Sequence, residues 1–166
     1  MEFRSASTDD VEAVVALVES AYRGDTSRTG WTTEADLLEG RRTDAQDVLS
    51  DLPHLILAWE GEDLIGCCAL IPKDGFAYFG MFAVRPGLQG GGLGSQLIAE
   101  AERVATEAGL RRVEMTVISA RTELIAFYER RGYKDTGDLR PFPYGDERFG
   151  KPLTDGLVFT VLSKQL

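Results

Sequence analysis

A glycine-rich junction between a predicted strand and a predicted helix constrains this chain more than any other feature of its sequence. An apolar run over Phe76–Val84 predicts the strand, and apolar side chains at helical spacing over Leu93–Ala108 predict the helix. The glycines at the junction are Gly87, Gly90, Gly91, Gly92 and Gly94. Glycine lets the backbone approach a ligand closely, and the free N–H groups at a helix start favour a phosphate. The junction therefore predicts an anion-binding turn.

Two other glycine signatures do not fit this junction. A Walker A loop requires a lysine after its last glycine, but Gly92 is followed by Leu93. A dinucleotide-binding G-x-G-x-x-G pattern that starts at Gly90 reaches Ser95 in its last position, and one that starts at Gly92 reaches Leu97. The turn therefore belongs to a different class of phosphate-binding segment.

The remaining patterns predict a chain that mixes helices and strands. Capping residues and a 3.6-residue apolar stripe indicate the helices, and apolar or β-branched runs indicate the strands. The predicted helices are Thr8–Tyr22, Glu34–Leu38, Asp44–Leu52 closed by Pro53, Leu93–Ala108 ended by Gly109, and Thr122–Arg131 ended by Gly132. The predicted strands are Leu55–Trp59, Leu64–Ile71, Phe76–Val84, Val113–Ile118 and Leu157–Leu162, while Asp138–Gly156 is predicted to form no regular element.

Charge and hydropathy narrow the function classes. The 166 residues carry 18 Lys and Arg against 27 Asp and Glu, a net charge of −9, which argues against binding to nucleic-acid phosphates. The longest uninterrupted apolar run, Ala13–Val18, falls short of the roughly 20 residues of a membrane-spanning helix, and the chain start does not resemble a signal peptide. We therefore expect one cytoplasmic domain over residues 1–166, a monomer or a homodimer, with no nucleic-acid or membrane partner.

The cysteines and the single histidine offer little chemistry. Cys67 and Cys68 are adjacent, so they cannot link distant segments, and with His54 as the only histidine no zinc-binding spacing exists. In a regular strand the two cysteines point to opposite faces, and both are predicted to be small buried side chains. His54 is predicted to be an ordinary residue at a strand end, and no metal site is expected.

The pattern that fits the glycine junction is Q-x-x-G-x-G, formed by Gln89, Gly92 and Gly94 after Val84 and Pro86. It resembles the acyl-CoA-binding motif of the GNAT superfamily of acetyl-CoA-dependent N-acetyltransferases. Residues 123–133 resemble that superfamily's second cofactor-side motif, in which a helix bearing a tyrosine ends in glycine and an aromatic residue. The resemblance implies an α/β (α+β) fold, with a mixed, mostly antiparallel sheet flanked by helices.

The resemblance also implies how acetyl-CoA is held. Backbone amides of the glycine turn bind the pyrophosphate, and the main chain of the preceding strand pairs with the pantetheine arm as an added strand would. Arg121 stands where the second motif often has asparagine, and it either reaches the phosphates or is a solvated residue near a helix start. The implied cofactor-binding residues are Phe82, Ala83, Val84, Gln89, Gly90, Gly91, Gly92, Leu93, Gly94, Ser95 and Arg121.

Tyr128 matches the family's general-acid position. Attack of an amine on the thioester expels a CoA thiolate, and a phenol with a pKa of about 10 is a suitable proton donor to that leaving group. The alternative is that Tyr128 only packs beside Leu124 on its helix. The resemblance thus implies an acyltransferase that moves the acetyl group of acetyl-CoA to a primary amine, on a small molecule or a peptide, by direct attack and without a metal.

The chain departs from the family pattern at two places. Gly90 and Gly91 stand where many members have Lys or Arg, so side-chain help with the phosphates has to come from elsewhere. No residue of Phe76–Val84 is acidic or histidine, although the family's usual base falls near Tyr78. The base is therefore absent, replaced by water, or one of Glu34, Asp36 and Glu114.

The acceptor site is the least defined part of the prediction. Trp31, Glu34 and Tyr78 are the candidate substrate-contacting residues, because Glu34 follows Trp31 in the region that forms one wall of the cleft in relatives. An exposed glutamate at a helix start is the alternative reading of Glu34. The aromatic residues of the glycine- and proline-rich loop form either a lid over the acceptor or anchors of that loop; they are Phe142, Tyr144 and Phe149.

Two other functions stay open at this point. A catalytically idle module that only binds CoA is favoured by the missing carboxylate on Phe76–Val84. An interaction domain that docks through Asp138–Gly156 without any cofactor is disfavoured by the intact glycine turn.

Overall fold

The computed structural model describes residues 1–22, 38–39, 43–142, 151–152 and 156–166. The strands are β1 Glu2–Ser5, β2 Leu38–Glu39, β3 Leu55–Glu60, β4 Asp63–Pro72, β5 Ala77–Val84, β6 Arg112–Ile118, β7 Lys134–Pro141, β8 Lys151–Pro152 and β9 Val158–Gln165. The helices are α1 Val11–Tyr22, α2 Ala45–Asp51, α3 Leu93–Glu107 and α4 Thr122–Glu129. Among the described residues seven strands form one sheet in the order β1-β3-β4-β5-β6-β9-β7, and β2 and β8 form a separate pair.

The sheet has the predicted mixed, mostly antiparallel pairing. The β3–β4 hairpin turns through Gly61, whose φ of 61° suits glycine. β5 and β6 are the parallel pair of the seven-stranded sheet, since α3 returns the chain between them. The predicted fold class is therefore confirmed.

Apolar layers cover both faces of the sheet. The layer on one face includes Leu97 from α3 and Leu124 from α4, and the layer on the other face includes Val14 from α1. Cys68 belongs to the first layer and Cys67 to the second, and neither side chain is exposed. The prediction that the two cysteines point to opposite faces and are buried is confirmed.

Capping residues place the helix boundaries close to where the sequence predicts them. A 3₁₀ turn over Thr8–Asp10 precedes α1, and Asp10 accepts a hydrogen bond from the backbone N–H of Ser7 at 2.8 Å. The Asp44 side chain accepts from the N–H of Asp47 at the start of α2. After α3 the chain turns at Gly109, whose φ is 79°.

Two predictions about local structure are wrong, and one strand was not predicted. Leu38 lies in β2 rather than in a helix, while residues 34–37 lie outside the described residues. The helix predicted over Asp44–Leu52 is observed as α2, which ends at Asp51, and Pro53 follows it within a 3₁₀ turn over Leu52–His54. Residues 138–141 belong to β7, because pairing with β9 supplies their backbone hydrogen bonds. The β7–β9 pairing is irregular around Gly137, which has a φ of 85°. Glu2–Ser5 forms an edge strand that no sequence pattern indicated, because pairing with β3 satisfies its backbone.

Candidate functional site

The sheet opens between β5 and β6. These strands pair at Ala77 with Val113 and at Tyr78 with Glu114, and no further β5–β6 pairing occurs among the described residues. Met81 has a φ of 46°, and the β4–β5 register shifts between Gly80 and Ala83, the segment that contains Met81. Phe79 therefore packs in one apolar layer, whereas Met81 lies in the opposite layer and Phe82 returns to the first. One edge of β5 from Phe79 onward thus faces a gap in the sheet.

A cavity of about 310 Å³ lies at the end of β5 and joins both predicted cofactor motifs. It brings together all the predicted cofactor-binding residues except Gly91 and Leu93, of which Leu93 is buried in the core. The cavity is lined by Ala21, Tyr22, Phe82, Ala83, Val84, Gln89, Gly90, Gly92, Gly94, Ser95, Arg121, Leu124, Phe127, Arg130 and Arg131. Residues from α1, β5, the glycine turn and α4 therefore meet at one place.

The glycine turn needs its glycines for two different reasons. Gly90 and Gly92 have φ values of 89° and 90°, in the left-handed region where a side chain is strained. At Gly94 a Cβ would come within 3.2 Å of the Phe82 ring and 3.3 Å of the Phe127 ring, so glycine permits the close approach of α3 to both. The first i→i−4 bond of α3 runs from Gln96 N–H to the Gly92 carbonyl. The backbone N–H groups of residues 93–95 thus precede the hydrogen-bond ladder of the helix.

Tyr128 is buried beside the cavity and is not one of the residues that line it. Its ring centroid lies 6.0 Å from that of Phe82 and 5.5 Å from that of Phe127, and both of these side chains do line the cavity. Burial is the main cause that raises the pKa of the Tyr128 phenol well above its usual range, Tyr22 adds to the increase, and Arg121 opposes it. Tyr128 therefore keeps its proton at neutral pH, and it also packs beside Leu124 in the same apolar layer.

Arg121 is buried rather than solvated. Its residue surface is 8% exposed, it occupies the N-cap position of α4, and its guanidinium carbon lies 5.3 Å from the ring centroid of Tyr22. The alternative that Arg121 is a solvated residue is wrong, because the end of α1 packs over it. The Tyr22 hydroxyl in turn donates a hydrogen bond to the Phe82 carbonyl. Sequence reasoning missed Tyr22, whose only signal was its place at the end of an apolar helical stripe.

Sequence reasoning also missed the cations that the end of α4 brings to the cavity. Arg131 donates from Nε to Ser95 Oγ at 2.8 Å and from Nη1 to the Phe127 carbonyl at 2.6 Å. Its guanidinium stacks 3.5 Å from the Phe127 ring centroid. Burial and, to a smaller extent, Arg130 lower the pKa of Arg131 from its usual value. One indirect indication of these cations was present in the sequence. The predicted phosphate-binding turn contains no Lys or Arg, so any cation has to come from another element.

A polar cluster lies where β5 and β6 part. The hydroxyls of Tyr78 and Thr116 are hydrogen-bonded at 2.8 Å across the two strands. The Glu114 side chain, 17% exposed, lies 3.7 Å from Arg112 Nη2 and 3.8 Å from Arg140 Nη2. Within the described part of the chain no hydrogen bond reaches this carboxylate. Tyr78, a predicted substrate residue, therefore belongs to this cluster and does not line the cavity.

Several residues singled out in the sequence either lie outside the described part of the chain or have a structural role. Trp31, Glu34, Asp36, Tyr144 and Phe149 are outside it. Phe142 is 5% exposed and packs with Ile118, Leu157 and Phe159, so for this residue the anchoring alternative is correct and the lid is wrong. His54 ends the 3₁₀ turn directly before β3, as expected for a residue at a strand end.

The described residues contain neither a metal-binding cluster nor a membrane-spanning helix. They contain no group of three or more His, Cys, Asp and Glu side chains placed to hold a metal ion. None of their helices has both the length and the apolar character needed to cross a membrane.

Comparison with known proteins gives matches to acetyltransferases. A model of the acetyltransferase (GNAT) family matches residues 14–133. An aminoalkylphosphonate N-acetyltransferase from Salmonella typhimurium is 28% identical over 141 residues, which cover 81% of this chain and 86% of the relative. The crystal structure of a ribosomal-protein-alanine N-acetyltransferase from Brucella melitensis has a TM-score of 0.72 at 17% identity and covers 100% of both chains. A GNAT family acetyltransferase from Elizabethkingia anophelis with acetyl-CoA bound has a TM-score of 0.59 at 21% identity, covering 73% of this chain and 82% of that one.

Proposed function

The chain belongs to the GNAT acetyltransferase family, and from this membership we propose that it transfers the acetyl group of acetyl-CoA to a primary amine by direct attack. The observation that carries the proposal is the cavity that joins the glycine turn to the open edge of β5. Such a cavity offers helix-start amides for phosphates beside a strand edge for an amide-containing arm, which are the two chemistries of CoA.

The cofactor lies along three surfaces in this proposal. The backbone N–H groups of residues 90–95 bind the pyrophosphate, Gly91 and Leu93 through their main chain only, and Gln89, whose own N–H donates to the Pro86 carbonyl, fixes the turn. The main chain of Phe82, Ala83 and Val84 pairs with the pantetheine amides, and the carbonyl of Phe82 accepts from Tyr22 while keeping a second lone pair. Arg121, buried at the end of the cavity next to α1, contributes positive charge toward the cofactor.

Tyr128 acts as the general acid. The amine nitrogen bonds to the thioester carbonyl carbon, and the carbon–sulfur bond of the resulting tetrahedral intermediate breaks. The departing thiolate takes the phenol proton, the nitrogen loses a proton to a base or to water, and that proton returns to the phenolate. The products are the amide and the CoA thiol. Because burial raises the pKa of the Tyr128 phenol, the phenol is still protonated when the thiolate departs and can donate its proton to the sulfur.

Glu114 is the base candidate that we favour. It lies opposite Tyr78, at the point where β5 and β6 separate, and its carboxylate has loose ionic neighbours but no hydrogen bond within the described residues. In this proposal the Glu114 carboxylate takes the proton that the attacking amine nitrogen loses. Trp31, Glu34 and Asp36 remain proposals for the other side of the acceptor site.

Glu114→Gln tests this assignment. At pH 7 we expect kcat/KM for the amine to fall roughly 100-fold, and the loss to shrink as the pH approaches the pKa of the amine, because the amine then arrives deprotonated. The exposed Glu107→Gln variant removes the same charge and is the control. A pH–rate profile equal to that of the control would assign the proton to water, Glu34 or Asp36.

The acceptor is best sought by measuring thiol release from acetyl-CoA with a panel of amines. Aminoalkylphosphonates come first, because the relative at 28% identity is named for them, followed by amino acids, polyamines and peptides with a free N-terminus. The acetylated product is identified by its mass. Thiol release above the hydrolysis rate with one amine class supports the proposal.

A catalytically idle CoA-binding module is the alternative, because Tyr128 does not line the cavity and β5 carries no acidic residue. The two functions differ in one experiment. A module of this kind shows CoA-induced thermal stabilisation without thiol release for any amine in the panel, whereas the enzyme shows both.

A further inference from the structure

We propose that Arg131 and Ser95 form a two-residue clamp that binds the pyrophosphate of the cofactor with side chains, in addition to the backbone amides of the glycine turn. This inference rests on the proposed function, since it takes CoA as the ligand. It assigns to the end of α4 the cations that the glycine turn lacks.

The first observation is the geometry of the clamp. Arg131 follows α4, and Ser95 lies in the first turn of α3, 36 residues earlier in the chain. Both Nε and Nη2 of Arg131 donate to Ser95 Oγ, and Nη1 donates to the Phe127 carbonyl. The stack on the Phe127 ring fixes the plane of the guanidinium. The side chain is therefore held in one orientation before any ligand arrives.

The second observation is the set of donors left over. A guanidinium has five N–H groups, and these contacts use one each on Nε, Nη1 and Nη2. One N–H on each terminal nitrogen of Arg131 therefore remains available. A serine hydroxyl has two lone pairs and one hydrogen; Arg131 occupies the lone pairs, and among the described residues no acceptor takes the hydrogen. The clamp thus presents N–H and O–H donors but no acceptor.

The third observation is the uncompensated charge. Three arginines line the cavity: Arg121, Arg130 and Arg131. The described residues that line it include no Asp or Glu. No carboxylate of the described residues forms an ion pair with Arg131. The positive end of α3 lies at Ser95, so the guanidinium and the helix start act on the same place. Burial disfavours the charged form of Arg131, and a bound phosphate would relieve that cost.

The pyrophosphate is the part of CoA that this arrangement fits. Ser95 is the third residue of α3 and belongs to the same turn of backbone whose N–H groups precede the helical ladder. A phosphate held by those amides lies next to the Ser95 hydroxyl, and the guanidinium plane can meet a second phosphate oxygen in bidentate fashion. The 3′-phosphate on the ribose of CoA is the competing source of the same chemistry.

The test measures dissociation constants by calorimetry for CoA, dephospho-CoA and pantetheine with wild type, Arg131→Gln and Ser95→Ala. For Arg131→Gln we expect weakening of roughly 10- to 100-fold for CoA and the same factor for dephospho-CoA, with pantetheine unchanged. Ser95→Ala is expected to weaken both nucleotides roughly tenfold. Arg103→Gln removes the same charge from the exposed side of α3 and is the control.

The outcomes separate the possibilities. A loss confined to CoA would move Arg131 to the 3′-phosphate and overturn the assignment, and so would binding equal to that of Arg103→Gln. An equal loss for pantetheine would show that Arg131 only supports Phe127. If Arg131→Gln does not fold, as judged by thermal melting, Ser95→Ala decides by the same comparison. Failure of the wild type to bind CoA would instead contradict the proposed function itself.

Discussion

The glycine turn and the end of α4 line the same cavity, but they are built in opposite ways. The turn contributes backbone groups. The positive φ of Gly90 and Gly92 and the missing Cβ of Gly94 make its conformation possible. The end of α4 contributes side chains: the Phe127 ring and the Arg131 guanidinium line the cavity, and Tyr128 packs behind them. A side chain added at Gly92 or Gly94 disturbs the whole backbone site, whereas the side-chain site can lose one contact at a time.

Gly92→Glu gives the largest expected effect. A glutamate at the N-cap of α3 places a carboxylate where the phosphate should bind, so we expect CoA-induced thermal stabilisation to disappear. The left-handed φ adds a cost of about 1–2 kcal/mol to folding. Differential scanning fluorimetry with and without CoA measures both effects.

Gly109→Glu is the matched control for this prediction. Gly109 also has a positive φ and open space around its Cα, but it lies after the far end of α3. It should lose similar stability and keep CoA binding. If Gly92→Glu binds CoA as tightly as Gly109→Glu does, the cofactor does not lie on the glycine turn.

Tyr128→Phe gives the next largest effect and acts on the chemical step. The ring and its packing remain, but the proton for the thiolate is lost, so kcat should fall roughly 100-fold with little change in KM for acetyl-CoA. Steady-state kinetics with a competent amine provide the measurement. Tyr133→Phe removes a neighbouring buried hydroxyl that donates to Glu102, away from the cavity, and should keep kcat near wild type.

Two results would revise the role of Tyr128. An unchanged kcat where chemistry limits turnover would mean that the thiolate leaves without the phenol. A large loss of melting temperature in Tyr128→Phe would instead favour the packing role.

The smallest predicted effect is on stability at alkaline pH. Burial raises the pKa of Tyr128 and of Tyr133, so above pH about 10 the unfolded chain releases protons that the folded protein retains. The free energy of unfolding is therefore unaffected below the pKa of the phenols in the unfolded chain. It falls as the pH rises from that value toward the higher pKa of the phenols in the folded protein. Each phenol then reduces the free energy of unfolding by up to about 1.4 kcal/mol per pH unit. The glycine turn has no such group.

Urea unfolding between pH 8 and 11 measures this loss. Burial also raises the pKa of Cys68, which adds a loss of the same sign from lower pH, so the comparison between variants is the readout. Tyr128→Phe and Tyr133→Phe should each show a shallower decline above pH about 10 than wild type. Parallel curves for all three proteins would mean that the two phenols titrate alike in the folded and unfolded states.

Features that depend on local conformation were readable from the sequence. The glycine turn, the end of α3 at Gly109 and the β3–β4 hairpin each rest on φ values or apolar periodicity within a short segment. The cofactor motif and the family followed from the same residues. These requirements act within a few residues of each other, so the sequence displays them directly.

Features that depend on contact between distant segments were decided only by the tertiary structure. Arg131 meets Ser95 because α4 packs beside the start of α3, and Arg121 is buried because α1 ends over it. The gap between β5 and β6 lies beside the β4–β5 register shift at Met81, and residues 138–141 form a strand because β9 lies next to them. Each of these outcomes is fixed by the packing of whole elements, whose free energy comes from many weak contacts spread along the chain, and no short stretch of sequence carries it.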